Sequence, residues 1–386
     1  MTAASTGRAT LVVAGLSARW MAEAAARDGY DVIALDAFGD VDTRRAALRW
    51  RSIGRDDGPL GIDPQRTLEA LRKAAADRQV LGWVAGSGFE GQPELLGRGA
   101  QALPLIGTPA ETVLRVRDPA GFFGMLDWLG LPHPEVQFDA PDPPSGWLRK
   151  EARGTGGWHI RPADDPHPAD PEQQPYYQRE APGTPMSALF IANGREARVL
   201  GISELIVRPL GAHRPHVYRG AIGPVALPAA LAVGLDTTLH TLVAAFGLRG
   251  LCSLDFLLDG DRWSLLEINP RPSASAVLYG DRLAWMRAHV DACLHGTLPP
   301  AEAAAPAPGA LRGSEIVFAR RAVQLTAAQA EALAARDDCH DLPAAGSRHA
   351  PGDPLCSVDA QGTRVTEVRE RLAEKRAALR ASLAQT

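Results

Sequence analysis

Two short segments hold the residues best suited to chemistry. "LCSLDFLLDG" (251–260) carries Asp255 inside an apolar run, and "WSLLEINPRPS" (263–273) ends a second run with Glu267, Asn269 and Arg271. Alternation along a strand puts Leu254, Phe256 and Leu258 on one face and Asp255 and Leu257 on the other. The same rule groups Leu265, Glu267 and Asn269, with Arg271 two residues further on. Joined as a hairpin through "DGDR" (259–262), the runs can set Asp255 beside Glu267 and Asn269. Two carboxylates and an amide oxygen on one face make an oxygen-only site, suited to Mg²⁺ shared with nucleotide phosphates. Without a cation the carboxylates would repel, and one would take up a proton. Arg271 adds a planar fork for a phosphate or a transferring phosphoryl group. Asp255 alone would be ordinary polarity on the wet side of an antiparallel sheet. Its weight comes from the company of "EINPRPS".

These strands need a framework. "TLVVAGL" (10–16) is an unbroken apolar run, as expected of a parallel strand buried on both faces. "SARWMAEAAARDGY" follows with helical spacing, then "DVIALD" (31–36), a βαβ start. "VLGWVAGSG" (80–88) and "LPLIG" (103–107) read as further strands, so residues 1–113 form an open α/β unit. Thr108 is the expected cap of the next helix with Pro109 at its first position, and Pro119 starts another that runs to Gly130. "WLRKEA", "GTGGWHI" and "YYQREA" read as strand, glycine loop and strand. "MSALFIANGREARVLGISELIVR" (186–208) is a hairpin turning at Asn193–Gly194. Helices are expected over 228–248, 281–296 and 364–383, the last with a charged face. "LPPAEAAAPAPGA" (298–310) has the composition of a linker.

Composition narrows the function classes. With 386 residues there is length for two or three lobes around a real core. A net charge of -4 leaves no basic field to neutralise phosphates, so nucleic acid is not the expected partner. Cys252, Cys293, Cys339 and Cys356 are scattered and form no CxxC pair, which reads as reduced cytoplasmic thiols. The first apolar run is too short for a membrane span or a signal peptide, so no membrane is expected. No GxGxxG follows the first strand, and no Walker A loop, HExxH or GxSxG is present. A dinucleotide-dependent dehydrogenase is therefore disfavoured. His159, His213 and His216 share no ligand-like spacing and read as local hydrogen-bonding partners.

"DFLLDG…WSLLEINPRPS" resembles the metal-binding strands of the ATP-grasp superfamily. The resemblance implies Mg²⁺ on Asp255, Glu267 and Asn269, with Arg271 touching a phosphate or acyl phosphate. "WLRKEARGTGGWHI" is similar to the lid strand and phosphate loop of that superfamily. It casts Lys150 as a catalytic point charge on ATP, and Gly154, Thr155, Gly156 and Gly157 as a loop folding over the phosphates by backbone N–H groups. "PYYQREAPGTPMSALF" resembles the segment against which adenine packs, with Gln178 and Glu180 as its polar contacts. Many relatives carry a ribose-binding Glu shortly after it, where this chain has "GTPMS". The implied fold is α/β, α+β in part. It comprises a Rossmann-like N-terminal domain (1–113), linker helices and lid (114–181), a catalytic mixed sheet (182–300), and a linker, small β lobe and final helix (301–386).

Such enzymes join a carboxylate to a nucleophile, most often an amine, through an acyl phosphate. Ends of parallel strands at a switch point are where α/β sheets bind ligands. The acceptor candidates are therefore Ser17, Arg19, Asp36, Asp40 and Asp42, then Ser87 and Glu90, and later Tyr218, Arg219 and Ser273. Arg219 or Arg271 could hold an acid, and Asp36 or Glu90 an amine. "GSGFE", "DAFGDVDT" and "GTPMSALFIANG" resemble a narrower group of carboligases related to biotin carboxylase. That group includes the tyramine–L-glutamate ligase of methanofuran biosynthesis, which implies a glutamate-like acid and a one-carbon cofactor pathway. The implied partners are ATP, Mg²⁺ and small-molecule acid and amine substrates, with a homodimer as the candidate assembly. The rivals are a carboxylase subunit with a biotinyl partner and a non-catalytic ATP-binding protein.

Overall fold

A computed structural model of the chain describes residues 7–56, 60–77, 79–304 and 309–383. The N-terminal unit is a parallel sheet in the order β3-β2-β1-β4, from β1 (Thr10–Ala14), β2 (Asp31–Asp36), β3 (Arg49–Ser52) and β4 (Val80–Ala85). Every residue of β1 is buried, as its unbroken apolar run requires. Helices α1 (Arg19–Arg27), α2 (Val41–Ala46), α3 (Pro64–Ala75) and α4 (Pro93–Ala102) pack around it. The expected strand at 103–107 reduces to one parallel bridge, Trp83 to Leu105.

Two linker helices follow, α5 (Ala110–Arg117) and α6 (Pro119–Leu129). Thr108 does not cap α5: Pro109 takes the capping position, with no side-chain bond. The Thr108 hydroxyl instead donates to the carbonyl of Arg249 at 3.0 Å and accepts from its N–H at 3.1 Å. A buried backbone pair elsewhere in the chain outcompetes the local cap. Asp118 does cap α6, accepting from Gly121 N.

The lid is a small sheet ordered β5-β8-β6-β7, from β5 (Val136–Gln137), β6 (Trp147–Glu151), β7 (Arg161–Pro162) and β8 (Pro175–Arg179). The main sheet has eight strands in the order β13-β12-β9-β10-β11-β14-β18-β16. They are β9 (Thr184–Asn193), β10 (Ala197–Arg208), β11 (Val217–Gly223), β12 (Arg249–Asp259), β13 (Arg262–Asn269), β14 (Leu311–Phe318), β16 (Cys339–His340) and β18 (Pro354–Gly362). The last three do not make a lobe with a separate sheet; they extend the main one. A short pair, β15 (Val323–Gln324) with β17 (Arg348–His349), lies beside them. Residues 305–308, the centre of the expected linker, lie outside the described residues.

Helix α7 (Ala229–Phe246) has the length and apolarity of a membrane span, but its Leu235, Leu239, Leu242 and Val243 fill the core against the main sheet. A second core joins the N-terminal unit to the main sheet. In it Met21 and Ala25 of α1 pack with Leu189 and Ile191 of β9 and with Met286 of α8 (Trp285–Leu294). Trp20 meets Trp285 edge to face at 6.3 Å. Burying apolar surface across this seam fixes the strand ends of one sheet over the face of the other. The final helix, α9 (Val365–Ser382), covers β14 and β18 through Val368, Leu372 and Leu379.

Candidate active site

The hairpin β12–β13 supplies the acidic pair. Asp255 and Glu267 are direct cross-strand partners, and Ser253 opposes Asn269. The next partner pair is Phe256 with Leu265, so Leu266 bulges out of the ladder. This corrects the simple alternation. Leu265 turns into the core with Leu254 and Phe256, whereas Glu267 and Asn269 share the cavity side with Asp255. Asp255 accepts from Ser187 Oγ at 2.6 Å and from Asn269 Nδ2 at 3.1 Å. Burial, and then the charge of Glu267, push the Asp255 carboxyl up to about 7. Glu267 is held the other way. Burial would raise it, but the Arg117 guanidinium, 2.8 Å away, keeps it below the ordinary value.

Arg117, at the end of α5, is the residue the sequence did not single out. Besides Glu267 Oε2, it donates at 2.8 Å to the carbonyls of Ala152 and Gly154. One buried cation thus ties the glycine loop to the acidic pair. The pair is 150 residues apart in sequence, so no spacing rule could have found it.

Lys150, on β6, is buried and donates from Nζ to Gln178 Oε1 on β8 at 2.5 Å. Burial lowers its ammonium to about 8. Beyond it the chain turns through Gly156 and Gly157, both at positive φ. A Cβ on Gly157 would stand 1.9 Å from the carbonyl oxygen of His216, and one on Gly91 would stand 2.1 Å from that of Arg153. The loop is therefore pressed between β11 and the N-terminal unit. Tyr218 N donates to Gly156 O, Thr155 Oγ1 to Glu90 Oε1 at 2.8 Å, and Arg153 pairs with Glu94 at 2.9 Å.

These groups line a cleft of about 1170 Å³ between the lid, the main sheet and the N-terminal strand ends. Lys150, Gly154, Thr155, Gly156, Gly157, Gln178, Glu180, Asp255, Glu267, Asn269 and Arg271 all reach it. Gln178 Nε2, His159 Nδ1 and His216 Nε2 are buried polar atoms with no hydrogen-bond partner. Unmet donors and acceptors of that kind suit a polar ligand. His159, expected to be a local hydrogen-bonding partner, lies in the cleft with its ring lowered to about 4 by burial, hence neutral. Two facing carboxylates, one driven toward protonation by burial and then by the other's charge, also suit a hard cation, with Asn269 beside them turning its Nδ2 to Asp255 and its Oδ1 to Arg271.

The acceptor candidates divide. Ser17, Ser87, Tyr218 and Ser273 line the cleft. Glu90 does not hold a free anionic site. Its Oε1 receives Arg271 at 2.9 Å and Thr155, and its Oε2 receives Gly88 N at 2.6 Å. Burial would raise that carboxyl, but Arg271 and then Arg117 hold it at about 2. Asp36 lies outside the lining, its oxygens taken by Ala18 N, Gly39 N and Trp50 Nε1. It fixes the turn after β2. Arg219 also lies outside, bonded to Pro209 O and stacked over Phe318. Arg19 touches the cleft but is held by Asp341 at 2.7 Å and Glu23 at 2.9 Å. Asp42 caps the backbone of Asp341 and Leu342. His213, between β10 and β11, shares Asp165 with His167, each at 2.8 Å, and none of the three lines the cleft.

Residues 122–275 match the family model for the ATP-grasp domain. The chain has the ATP-grasp fold. An L-amino acid ligase from Bacillus licheniformis superposes with a TM-score of 0.69 at 15% identity, over 96% of this chain and 97% of that one. A biotin carboxylase from Campylobacter jejuni, in a beta-gamma-ATP complex, gives 0.69 at 13% identity, over 93% and 89%. An N5-carboxyaminoimidazole synthase from Aspergillus clavatus, with ADP and 5-aminoimidazole ribonucleotide, gives 0.67 at 15% identity, over 96% and 98%. At these identities the likeness is one of fold. No curated protein matches the sequence. The matched segment contains Lys150, the glycine loop, Asp255, Glu267, Asn269 and Arg271.

Proposed function

We propose that this protein is an ATP-dependent carboxylate–amine ligase. The observation that carries the reading is the facing of Asp255 and Glu267 in one cross-strand pair, with Asn269 beside them, in a cleft also lined by a buried lysine and a clasped glycine loop. ATP would lie between lid and sheet. Lys150 and the loop N–H groups would bind its phosphates, and Gln178 would meet the base. Asp255, Glu267 and Asn269 would hold Mg²⁺, which when bound neutralises phosphate charge and orients the γ-phosphoryl group. Glu180 is the one carboxylate at the lid-to-sheet segment lining the cleft, and we assign the ribose to it in place of the usual acid.

The substrate carboxylate attacks the γ-phosphorus, and ADP leaves. Arg271, steadied by Glu90 and Asn269, stabilises the charge on the transferring group and then on the acyl phosphate. The neutral amine attacks the acyl carbon, inorganic phosphate leaves, and the amine proton is lost. The closed loop excludes water, which would otherwise hydrolyse the intermediate. The finer reading, a glutamate-like acid in one-carbon cofactor synthesis, rests on the sequence resemblance.

The test is ADP release against a panel of acids and amines. Release that needs both an acid and an amine supports the ligase. Release with bicarbonate alone supports a carboxylase, and tight ATP binding without turnover supports a non-catalytic binder. Glu267→Gln is expected to abolish ADP release while the protein stays folded by circular dichroism. Unchanged turnover in that variant would remove the metal assignment.

A further inference from the structure

Asp40, just past β2, is a carboxylate without a purpose inside the protein. It is only 8% exposed and lines the cleft. Among the described residues its side chain has no hydrogen bond or ion pair. The acids around it are spoken for: Asp36 by three N–H donors, Asp42 by the backbone of Asp341 and Leu342, and Asp341 by Arg19 and Ser357. Arg19 is the nearby cation, and it already serves Asp341 and Glu23. Asp36, Asp42 and Asp341 therefore face Asp40 as like charges, against a single distracted arginine. A buried, unpaired carboxylate is costly to keep. The cleft it lines also presents apolar side chains from the N-terminal unit, Leu16, Trp20, Phe38 and Leu60. Phe38 and Leu60 remain partly exposed there, as though awaiting a partner.

We propose that Asp40 binds a positively charged nitrogen of the substrate, an ammonium or guanidinium on an apolar chain, away from the bond being made. The proposal rests on the ligase reading for what happens at the far end of that substrate. The nitrogen that is acylated must be neutral, because an ammonium has no lone pair to attack with. The group on Asp40 is thus a second nitrogen. The sheet gives a scale for its place. Asp40 follows β2, and Glu90, which grips Arg271, follows β4; with β1 between them, those two strand ends lie two spacings, about 10 Å, apart. An extended basic amino acid or a small peptide with a free cationic end spans that gap. A bare metal ion would leave those apolar side chains uncovered.

The experiment is calorimetric binding to the full chain with Mg²⁺ and a non-hydrolysable ATP analogue. The probes are L-lysine, L-arginine and agmatine, compared with L-norleucine and L-norvaline, whose side chains end without charge. The cationic probes should bind roughly 10- to 100-fold tighter than these neutral-ended ones, the range of a hydrogen bond to a charged group. Asp40→Asn should erase that preference, and Asp40→Glu should keep part of it. A second readout uses the wild-type protein alone. Burial and the neighbouring acids hold the Asp40 carboxyl at about 9, so at neutral pH cation binding should expel close to one proton, seen as a buffer-dependent enthalpy. Equal binding of lysine and norleucine, absence of binding by every cationic probe, or a preference that survives in Asp40→Asn would overturn the proposal. Because no turnover is needed, those results strike Asp40 alone. Failure of every acid–amine pair to release ADP would strike the ligase reading instead.

Discussion

Replacing Arg117 with Met tests whether one guanidinium ties the acidic pair to the glycine loop. The substitution keeps length and apolar volume but removes three donated bonds of 2.8 Å. The carbonyls of Ala152 and Gly154 lose their donor, at about 1 kcal/mol each. Glu267 loses its counter-ion. Its side chain is 38% exposed to the cleft, so that pair is partly screened and counts for about 1 kcal/mol rather than a fully buried value. The expected loss of stability is about 3 kcal/mol by urea unfolding. Crossing Arg117→Met with Glu267→Gln should return a coupling of about 1 kcal/mol, since the double variant has no stranded charge. The loop would also shift, and a displacement near 1 Å costs about 100-fold in rate, so kcat/KM for ATP should fall by about that much. A stability loss well under 1 kcal/mol together with zero coupling would refute the reasoning.

Two further predictions concern the phosphate side of the cleft. Lys150 titrates near 8 when folded, below its ordinary 10.5, so the unfolded chain binds more protons in between and stability should rise with pH across that window. Bound phosphates need the charged form, so affinity for an ATP analogue should weaken as pH climbs past about 8, toward tenfold per unit. Tryptophan fluorescence titrations from pH 7 to 10 would show this, and Lys150→Met should flatten the curve; a flat wild-type curve would contradict it. Gly157→Ala adds a Cβ 1.9 Å from a backbone oxygen at a φ of +76, so the loop must move. The KM for ATP should rise about tenfold or more, the scale of 1–2 kcal/mol of left-handed strain; an unchanged KM would show that the loop does not touch the nucleotide.

The parts of the site legible in the sequence were those written locally. Lys150 and the glycine loop a few residues after it were picked out by the family resemblance, whereas Asp255, Glu267, Asn269 and Arg271 sit in one hairpin, so spacing could group them. Even there the bulge at Leu266 was invisible, because alternation cannot show an extra residue in one strand. The missing pieces are long-range. Arg117 meets Glu267 from 150 residues away, Ser187 meets Asp255 from 68, and Glu90 meets Arg271 from 181. Glu90 and Asp36 looked like free acids at strand ends, yet both are consumed by partners that only the packed sheets bring near. Thr108 shows the same effect on the fold: a good capping signal loses to the backbone of Arg249. The C-terminal strands read as a separate lobe because a sequence does not reveal which sheet edge a strand will join.

The most direct test of the account follows oxygen. With an acid–amine pair found by the panel, the carboxylate is labelled with ¹⁸O and the inorganic phosphate is analysed by mass spectrometry. Attack of that carboxylate on the γ-phosphorus predicts one labelled oxygen in phosphate for each amide formed, with ADP as the nucleotide product. Unlabelled phosphate alongside the same amide, or AMP in place of ADP, would contradict it.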